Sequence, residues 1–235
     1  MRIAARYLNW VLSLSSIPMT ARRTSCIVLG GGGFLGTNLC RRLAAVGHRV
    51  RAFGRRSLFP EALDGVEWYQ GDFCDPASLA AAIETYEIVF HLVHTSTPYS
   101  ANLEMAKDLQ QNAAASLALF DVSRVLEVQR IVFVSTGGTV YGFPEQIPTP
   151  ETAPTHPITA YGISKLAIEK YLAVYERLYG LQYRILRIAN PFGPFRSRSR
   201  IKASSPCSSR AHSMAKPSIS GAMARLRGTI FLLTT

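Results

Sequence analysis

The sequence of 235 residues has few cysteines, no long apolar run and no acidic residue near either end. Its four cysteines, Cys26, Cys40, Cys74 and Cys207, show no paired spacing. This argues against a disulfide framework or a zinc site and fits a reducing cytoplasm. No apolar stretch reaches the roughly 20 residues that a membrane-spanning helix needs. We therefore expect a globular, cytoplasmic protein that binds no metal and no membrane.

The formal charge is +11, but the excess of basic residues is confined to the two ends. Residues 1–24 hold four Arg and no acid, and residues 196–235 hold eight Lys or Arg and no acid. The segment between them is therefore nearly neutral. Neither basic end is interleaved with aromatic residues or laid out as a recognition helix, so a nucleic-acid partner is not expected.

Residues 1–16 resemble a weak secretory signal, with early arginines and a short apolar stretch. Asn9 and several serines interrupt that stretch, and no small-x-small cleavage site follows it. Met19 lies just before the first strand-like segment, which favours an upstream start that was assigned in error. We interpret residues 1–24 as a non-native or disordered extension.

Short apolar runs alternate with helix-like stretches over residues 25–195. Strands are predicted at Ser25–Leu29, Arg49–Phe53, Val66–Tyr69, Ile88–Leu92, Ile131–Ser135 and Tyr183–Ile188. Helices are predicted at Thr37–Val46, Asn102–Val125 and Ala160–Tyr179, the last after a proline-rich loop at Pro144–Pro157. Such alternation implies parallel strands joined by right-handed crossovers. The expected fold is therefore α/β, a Rossmann-like, doubly wound parallel sheet.

Three glycines, Gly30, Gly33 and Gly36, form a GxxGxxG motif directly after the first predicted strand and directly before a helix. Glycine permits a positive φ and lets the backbone approach a ligand closely. A pyrophosphate bound there faces free N–H groups and the positive end of the helix dipole. Residues 25–195 are therefore predicted to be an NAD(P)-binding Rossmann domain.

The second strand lacks the carboxylate that usually holds the adenosine ribose of NAD. Gly54 stands there, followed by Arg55 and Arg56, whose guanidinium groups suit the 2′-phosphate of NADP. The alternative is that both arginines are solvated surface residues, so the cofactor is predicted as NAD or NADP. After the third strand, Asp72 is placed to bind the adenine amino group, with Phe73 beside it, or to be a turn residue.

Tyr161 and Lys165 lie four residues apart on a predicted helix, so both side chains share one face. A tyrosine with an unperturbed pKa near 10 is a poor base at neutral pH. A neighbouring ammonium and an oxidised nicotinamide would both favour its phenolate. Because the pair follows the fifth strand and a long loop, it is predicted to be catalytic, with Lys165 also holding the nicotinamide ribose.

These motifs occur together with STGGTVYG at Ser135–Gly142, YGISK, and RIANPFGP at Arg187–Pro194. In this combination, residues 25–195 resemble the NAD-dependent epimerase/dehydratase family. The resemblance implies a tightly held nicotinamide cofactor and a nucleotide-sugar substrate. It also implies hydride removal from a sugar carbon, a keto intermediate and, in epimerases, return of the hydride to the opposite face.

The same resemblance implies roles for single residues. Tyr161 is the general acid/base that Lys165 tunes, and Asn190 contacts the substrate. The implied cofactor contacts are Phe34 and Leu35 at the pyrophosphate, Leu92 at the border of the cofactor, and Asn112 as a brace of the site. The resemblance also makes a homodimer through the helices Asn102–Val125 and Ala160–Tyr179 plausible.

One position departs from the family pattern. Counting back from Val140, the family's helper Ser or Thr falls on Gly137, which has no hydroxyl. Thr136 or Ser135 could supply the hydroxyl if the strand end is bulged; otherwise the activity is reduced or altered. His91 and His94 are further acid/base candidates, which we expect instead to pack or hydrogen-bond locally.

After Pro194 the sequence changes abruptly to a Ser- and Arg-rich segment without acids. Codons that can encode GAMARLRGTIFLLTT, the last 15 residues, permit GDGSVARDYIFVDD when read from the third base. That peptide resembles a segment of the same family. We interpret residues 196–235 as an out-of-frame, disordered tail, with the small C-terminal substrate domain truncated or missing, and expect poor stability and little turnover. The alternative is a real, divergent, disordered tail.

Three functions remain open from the sequence. The first is a nucleotide-sugar epimerase, and the second is an NADP-dependent reductase or dehydratase of the same family, favoured by Arg55 and Arg56. The third is a non-catalytic dinucleotide-binding protein, favoured by Gly137 and the missing substrate domain.

Overall fold

A computed structural model describes residues 23–196, so almost all of the predicted extension at 1–24 and tail at 196–235 lies outside the described residues. The strands are β1 (Ser25–Leu29), β2 (Arg49–Gly54), β3 (Glu67–Gln70), β4 (Ile88–His91), β5 (Arg130–Thr136) and β6 (Tyr183–Ile188). The helices are α1 (Phe34–Ala45), α2 (Pro76–Ile83), α3 (Pro98–Leu103), α4 (Met105–Asp108), α5 (Ala115–Val125) and α6 (Ala160–Tyr179). A 3₁₀ turn (Pro60–Ala62) follows β2, and a π-helical segment (Leu109–Ala114) joins α4 to α5.

The strands form one parallel sheet in the order β3-β2-β1-β4-β5-β6. Val28 in β1 pairs with Ala52 on one side and with Phe90 on the other. From β1 the successive strands are added towards one edge of the sheet, and from β4 they are added towards the other edge. This reversal creates a topological switch point between β1 and β4. The Rossmann-like, doubly wound fold expected from the sequence is confirmed.

Alternate residues of the central strands pack on opposite faces of the sheet. Ile27 and Leu29 belong to a large apolar cluster with side chains of α2, α5 and α6, whereas Val28 packs with Cys40 of α1 on the other face. Successive side chains of a strand point to opposite faces, so a strand covered on both sides must be apolar throughout. This explains why β1 reads as a continuous apolar run.

The ends of the helices follow local chemistry. Asp75 caps α2 by accepting from the backbone N–H of Ala77 (3.0 Å), with Pro76 at the first helical position. Thr159 caps α6 in the same way, accepting from the N–H of Gly162 (3.1 Å). Gly180 ends α6 with φ +72°, a left-handed conformation that glycine adopts without strain. Thr159 and Gly180 thus fix where α6 begins and where it ends.

The predicted helix Asn102–Val125 is not continuous. Glu104 has φ −131° and ψ 61°, which separates α3 from α4, and the π-helical segment then interrupts the α-helical pattern. Within that segment the side-chain amide of Asn112 donates to the carbonyl of Asp108 (3.0 Å), where a regular α-helix would use the backbone N–H of residue 112. A prediction from apolar periodicity does not register such a local rearrangement.

Candidate functional site

A cleft of about 940 Å³ lies at the carboxyl ends of β1, β2, β3 and β4. In open parallel sheets, ligands bind outside this edge, at the topological switch point. Six of the predicted cofactor-contacting residues line the cleft: Gly30, Gly33, Arg55, Asp72, Phe73 and Leu92. The cleft therefore stands where the sequence motifs place the dinucleotide.

The glycine-rich turn combines an unusual backbone conformation with close packing. Gly30 has φ +86°, and a Cβ on Gly36 would overlap the carbonyl oxygen of Gly30. The first turn of α1 can therefore approach β1 only if residue 36 is glycine. The spacing did not single out Gly31, whose Cβ would lie 2.6 Å from the Cβ of Ala52, so this glycine is also required for the turn to sit against β2.

The N-terminal end of α1 is open to a ligand. Gly33 is the N-cap with extended backbone angles, no side chain caps the helix, and its first turn has no acidic residue. The first N–H groups of a helix have no intrahelical acceptor, and they sit at the positive end of its dipole. Phe34 and Leu35, which begin α1, are at the position implied for pyrophosphate contacts, and this arrangement fits an anionic group.

The end of β2 carries positive charge into the cleft. Arg55 and Arg56 are exposed, and both line the cleft directly after Gly54. Two guanidinium groups beside the expected adenosine ribose would attract an anion placed there. They can also form bidentate hydrogen bonds with a phosphate.

Asp72 and Phe73 line the cleft in different ways. The Asp72 carboxylate accepts from the backbone N–H of Cys74 (2.9 Å), so it shapes the turn after β3 and remains exposed at the cleft. The ring of Phe73 packs against His91 with the centroids 4.9 Å apart, and the residue is buried. Phe73 thus forms part of the cleft wall and of the core together.

Lys165 is 3% exposed, and its Nζ donates to the carbonyl oxygen of Val134 (2.8 Å). Burial lowers the pKa of this lysine from 10.5 to about 7, while the carboxylates of Glu169 and Asp108 oppose that change. The ammonium is thus easily deprotonated near neutral pH, which is unusual for lysine and typical of functional sites.

Tyr161 lies four residues before Lys165 on α6, and its ring meets that of His94 edge-on, with the centroids 4.4 Å apart. Burial raises the pKa of the Tyr161 phenol to about 12, and the Asp108 carboxylate adds to the rise. The neighbouring ammonium and a cationic nicotinamide, both expected from the sequence, favour the phenolate. Burial and Asp108, which the sequence pattern does not reveal, favour the neutral phenol and a proton-donating role.

The two histidines of the β4 end make local contacts. His91 is buried, and its Nε2 is 2.9 Å from the Ser116 hydroxyl, which itself donates to a backbone carbonyl. His94 lines the cleft and contacts Tyr161, and its side chain is 7% exposed. Burial lowers the pKa of His94 to about 2, so its ring is neutral at any ordinary pH.

Ser135 lies in a buried cluster of polar side chains. Its hydroxyl donates to Glu169, which also accepts from the Arg187 guanidinium (2.6 Å to Oε2). Arg187 in turn donates to the phenol oxygen of Tyr141 (2.8 Å). The Ser135 hydroxyl is therefore committed to this cluster, which ties α6 to the ends of β5 and β6.

Thr136 ends β5, and its hydroxyl oxygen accepts from the Gly138 N–H and the Thr139 hydroxyl, both at 3.3 Å. Both distances are longer than the usual ranges of about 2.7–3.2 Å for N–H···O and about 2.5–3.0 Å for O–H···O, so both bonds are weak. A Cβ on Gly137 would lie 3.3 Å from the carbonyl oxygen of Arg187, a tight contact for any larger residue. Of the two predicted substitutes for the missing hydroxyl, Thr136 is the less committed one.

Asn112 is buried and braces the loop between β4 and α3, because its Oδ1 accepts from the backbone N–H of Thr95 (2.8 Å). Its amide donates to Asp108, a buried carboxylate that the sequence analysis missed. A single Asp in an apparently amphipathic helix carries no signal of burial. Its spacing of four residues from Asn112 was the only available hint.

The segment after β6 returns to the glycine turn. Asn190 follows β6 with φ +33°, is exposed and does not line the cleft near β1 to β4. Farther along, the carbonyl of Pro194 accepts from the side chain of Asn38 in α1 (2.9 Å). The segment therefore crosses the carboxyl edge of the sheet, where a ligand held by the glycine turn could reach it.

Within residues 23–196, no helix has the length and apolar character to cross a bilayer. In the same range, no group of three or more His, Cys, Asp or Glu side chains is arranged to hold a metal ion.

Residues 26–219 match the model of the NAD dependent epimerase/dehydratase family. The matched region contains the glycine turn, the Tyr161–Lys165 pair and the segment around Asn190. It also runs past the described residues into the segment interpreted as out of frame, so the boundary of that segment stays a prediction.

The chain is 32% identical over 177 residues to the UDP-glucose 4-epimerase of Mycolicibacterium smegmatis, an alignment that covers 72% of this chain and 56% of that protein. It is also similar to the crystal structure of UDP-glucose 4-epimerase from Thermotoga maritima with UDP-glucose (34% identity, TM-score 0.69, 74% of this chain and 58% of that chain). A third similar protein is the UDP-glucose 4-epimerase of Thermus thermophilus in complex with NAD (31% identity, TM-score 0.69, 74% and 57%). The chain thus spans little more than half the length of these relatives.

Proposed function

Because the chain belongs to the NAD dependent epimerase/dehydratase family, we propose that it acts as a nucleotide-sugar epimerase of the UDP-glucose 4-epimerase kind. The observation that carries the proposal is the pair of half-buried Tyr161 and buried Lys165, with Tyr161 packed against His94 in the wall of the cleft. Relatives crystallised with NAD and with UDP-glucose support it.

The residues of the cleft fit a nicotinamide dinucleotide. The open N-terminus of α1 and the glycine turn would hold the pyrophosphate, and Asp72 and Arg55 would hold the adenosine end. Lys165 is within one helical turn of Tyr161, where it would hold the nicotinamide ribose. Held there by these residues, the nicotinamide would supply the hydride-accepting and hydride-donating chemistry of the reaction.

The chain's own residues would then transfer the proton of the sugar hydroxyl. Tyr161 would exchange a proton with a sugar hydroxyl through its phenol oxygen, and Lys165 would set how readily it does so. Thr136 would supply the hydrogen-bonding hydroxyl that Gly137 lacks. Asn190, on the segment crossing the sheet edge, would contact the nucleotide sugar.

The test is to incubate the chain with NAD and with UDP-glucose or UDP-galactose, and to follow both interconversion of the sugars and absorbance of the reduced nicotinamide. An epimerase interconverts the sugars with no net change in that absorbance. Tyr161→Phe should abolish the conversion while cofactor binding, measured by fluorescence of the reduced dinucleotide, persists. Tyr171→Phe, at an exposed tyrosine of the same helix, is the matched control. Cofactor binding without any turnover in the unsubstituted chain would favour a non-catalytic dinucleotide-binding protein.

A second candidate is an NADP-dependent reductase of the same family, and the position of Arg55 and Arg56 at the cleft favours it. We expect the chain to bind the reduced form of NADP at least as tightly as that of NAD. Arg55→Ala should weaken NADP binding about tenfold, since one charge-assisted hydrogen bond is lost, and leave NAD binding little changed. Arg42→Ala, at an exposed arginine of α1, should change neither. Net consumption of the reduced cofactor with a keto-sugar would support the reductase.

We also propose a homodimer through helices α3 to α6. Several large apolar side chains are exposed on these helices and on the π-helical segment between α4 and α5: Tyr99, Leu103, Met105, Leu109, Val125, Ile163, Val174 and Leu178. Association would remove that apolar surface from water. Sedimentation equilibrium of the chain, with a monomer as the contradicting outcome, tests this arrangement.

A further inference from the structure

Asp108 is a buried carboxylate at the end of α4 that is 3% exposed. Both of its oxygens are used: Oδ1 accepts from the Ser96 hydroxyl and from the Asn112 amide (3.0 Å), and Oδ2 accepts from the Ser164 hydroxyl (2.5 Å). A buried charge is expensive unless donors of this kind surround it. Three side-chain donors thus satisfy the carboxylate of Asp108.

The donors come from three different segments. Ser96 lies on the loop between β4 and α3, two residues after His94, and Asn112 lies on the π-helical segment. Ser164 lies on α6, three residues after Tyr161 and next to Lys165. Asp108 therefore links α6, which carries Tyr161, to the loop after β4. That loop carries His94, whose ring packs against Tyr161. π-Helical segments often occur at functional sites, and this one begins directly after Asp108.

The charged and titratable groups around Tyr161 come from three elements. The loop after β4 contributes His94, which is neutral, and whose Nε2 lies 3.5 Å from Oδ1 of Asp108 without forming a hydrogen bond. Helix α4 contributes Asp108 itself. Helix α6 contributes Lys165, which in turn faces Glu169 and the neutral His91. Burial raises the pKa of the Tyr161 phenol, and the Asp108 carboxylate adds to the rise.

We propose that Asp108 is a positioning residue for Tyr161, whose carboxylate clamps α6, the helix that carries Tyr161, to the β4–α3 loop. The inference rests on the proposed function, because a proton-transferring Tyr161 gives the clamp its purpose. A phenol held in this way donates a proton, and it becomes a base only when positive charge lies beside it. Asp108 therefore opposes loss of the phenol proton until a cation compensates.

The experiment uses the full chain labelled with ¹³C at the tyrosine ring carbon that bears the oxygen and in the histidine rings, with NMR spectra recorded as the pH rises from 8 to 11. The Tyr161 signal is identified by its loss in Tyr161→Phe. Asp108→Asn keeps the shape of the side chain and removes its charge. The ionisation of Tyr161 should then begin about one pH unit or more lower than in the unsubstituted chain.

Ser164→Ala separates the clamp from the charge. It removes the link between Asp108 and α6 but keeps the carboxylate, so the Tyr161 and His94 ring signals should move without any lowering of the ionisation pH. If Asp108→Asn does not fold, this variant decides alone: unchanged Tyr161 and His94 signals overturn the proposal.

Asp121→Asn is the matched control, because the Asp121 carboxylate accepts from the phenol of Tyr175 (3.0 Å) on the same helix. It should lower the ionisation pH of Tyr175 and leave Tyr161 unchanged. An unchanged Tyr161 titration in folded Asp108→Asn overturns the proposal. Binding of the reduced dinucleotide is measured on the same samples. Absence of binding with a shifted Tyr161 would contradict the proposed function and leave the positioning role of Asp108 standing.

Discussion

Replacing Lys165 by Met should change the pH dependence of stability in a predictable way. The pKa of Lys165 falls from 10.5 to about 7 in the folded chain, chiefly because the ammonium is buried. The unfolded chain therefore binds this proton more tightly, and the folded state gains stability as the pH rises from 7 towards 10.5. Below pH 7 the full penalty of burying the charge is present, and above 10.5 it is gone.

The size of the effect follows from the two pKa values. One unit of pKa is about 1.4 kcal/mol, so burying the charge costs roughly 4 kcal/mol at pH 7 and about 2 kcal/mol at pH 9. The Met variant has no such group. The free energy of unfolding of Lys165→Met minus that of the unsubstituted chain should therefore fall by about 2 kcal/mol from pH 7 to pH 9. The lost hydrogen bond to Val134 and any change in packing shift the difference equally at both pH values.

The assay is urea unfolding at pH 7, 8 and 9, with the free energy taken by linear extrapolation. The two chains share every other titratable group, whose contributions cancel in the difference, so the slope of the difference reports on Lys165. Lys170→Met, at an exposed lysine of the same helix, should give a difference that does not change with pH. A Lys165→Met difference that is equally flat would refute the reasoning, because it would mean that the buried ammonium keeps its ordinary pKa.

Three further results are expected. Gly36→Ala should destabilise the chain by more than about 2 kcal/mol in the same urea assay, since its Cβ overlaps the Gly30 carbonyl. Gly33→Ala, whose Cβ would make only an ordinary van der Waals contact with that oxygen (3.4 Å), should leave stability within about 1 kcal/mol and weaken dinucleotide binding; equal stability of the two variants would contradict this. Glu169→Gln should cost about 3 kcal/mol, because it leaves the buried Arg187 guanidinium without its anion, and a loss below about 1 kcal/mol would show that the pair is dispensable. Resequencing the coding DNA from the codon for Arg187 onward should reveal an insertion or deletion that restores GDGSVARDYIFVDD, and confirmation of the present frame would reject the frameshift.

The strands and the glycine turn could be predicted because their signals are local. β1 and β6 have the predicted bounds, and the other strands differ by one or two residues at their ends. An apolar run flanked by glycines favours a strand wherever it occurs, and alternation with helices leaves few arrangements other than a parallel sheet. Likewise, Tyr161 and Lys165 share a face because four residues make about one helical turn.

The sequence by itself thus determined the Rossmann-like sheet, the glycine-rich turn and the spacing of the Tyr161–Lys165 pair, all of which depend on neighbours a few residues apart. Only the tertiary structure decided the chemistry of that pair. The carboxylate of Asp108 reaches Ser96 and Ser164 across 12 and 56 residues, and Ser135 reaches Glu169 across 34. Such contacts depend on how α4, α6 and β5 pack, and burial in that packing lowers the pKa of the lysine and raises that of the tyrosine, in directions that no local pattern encodes.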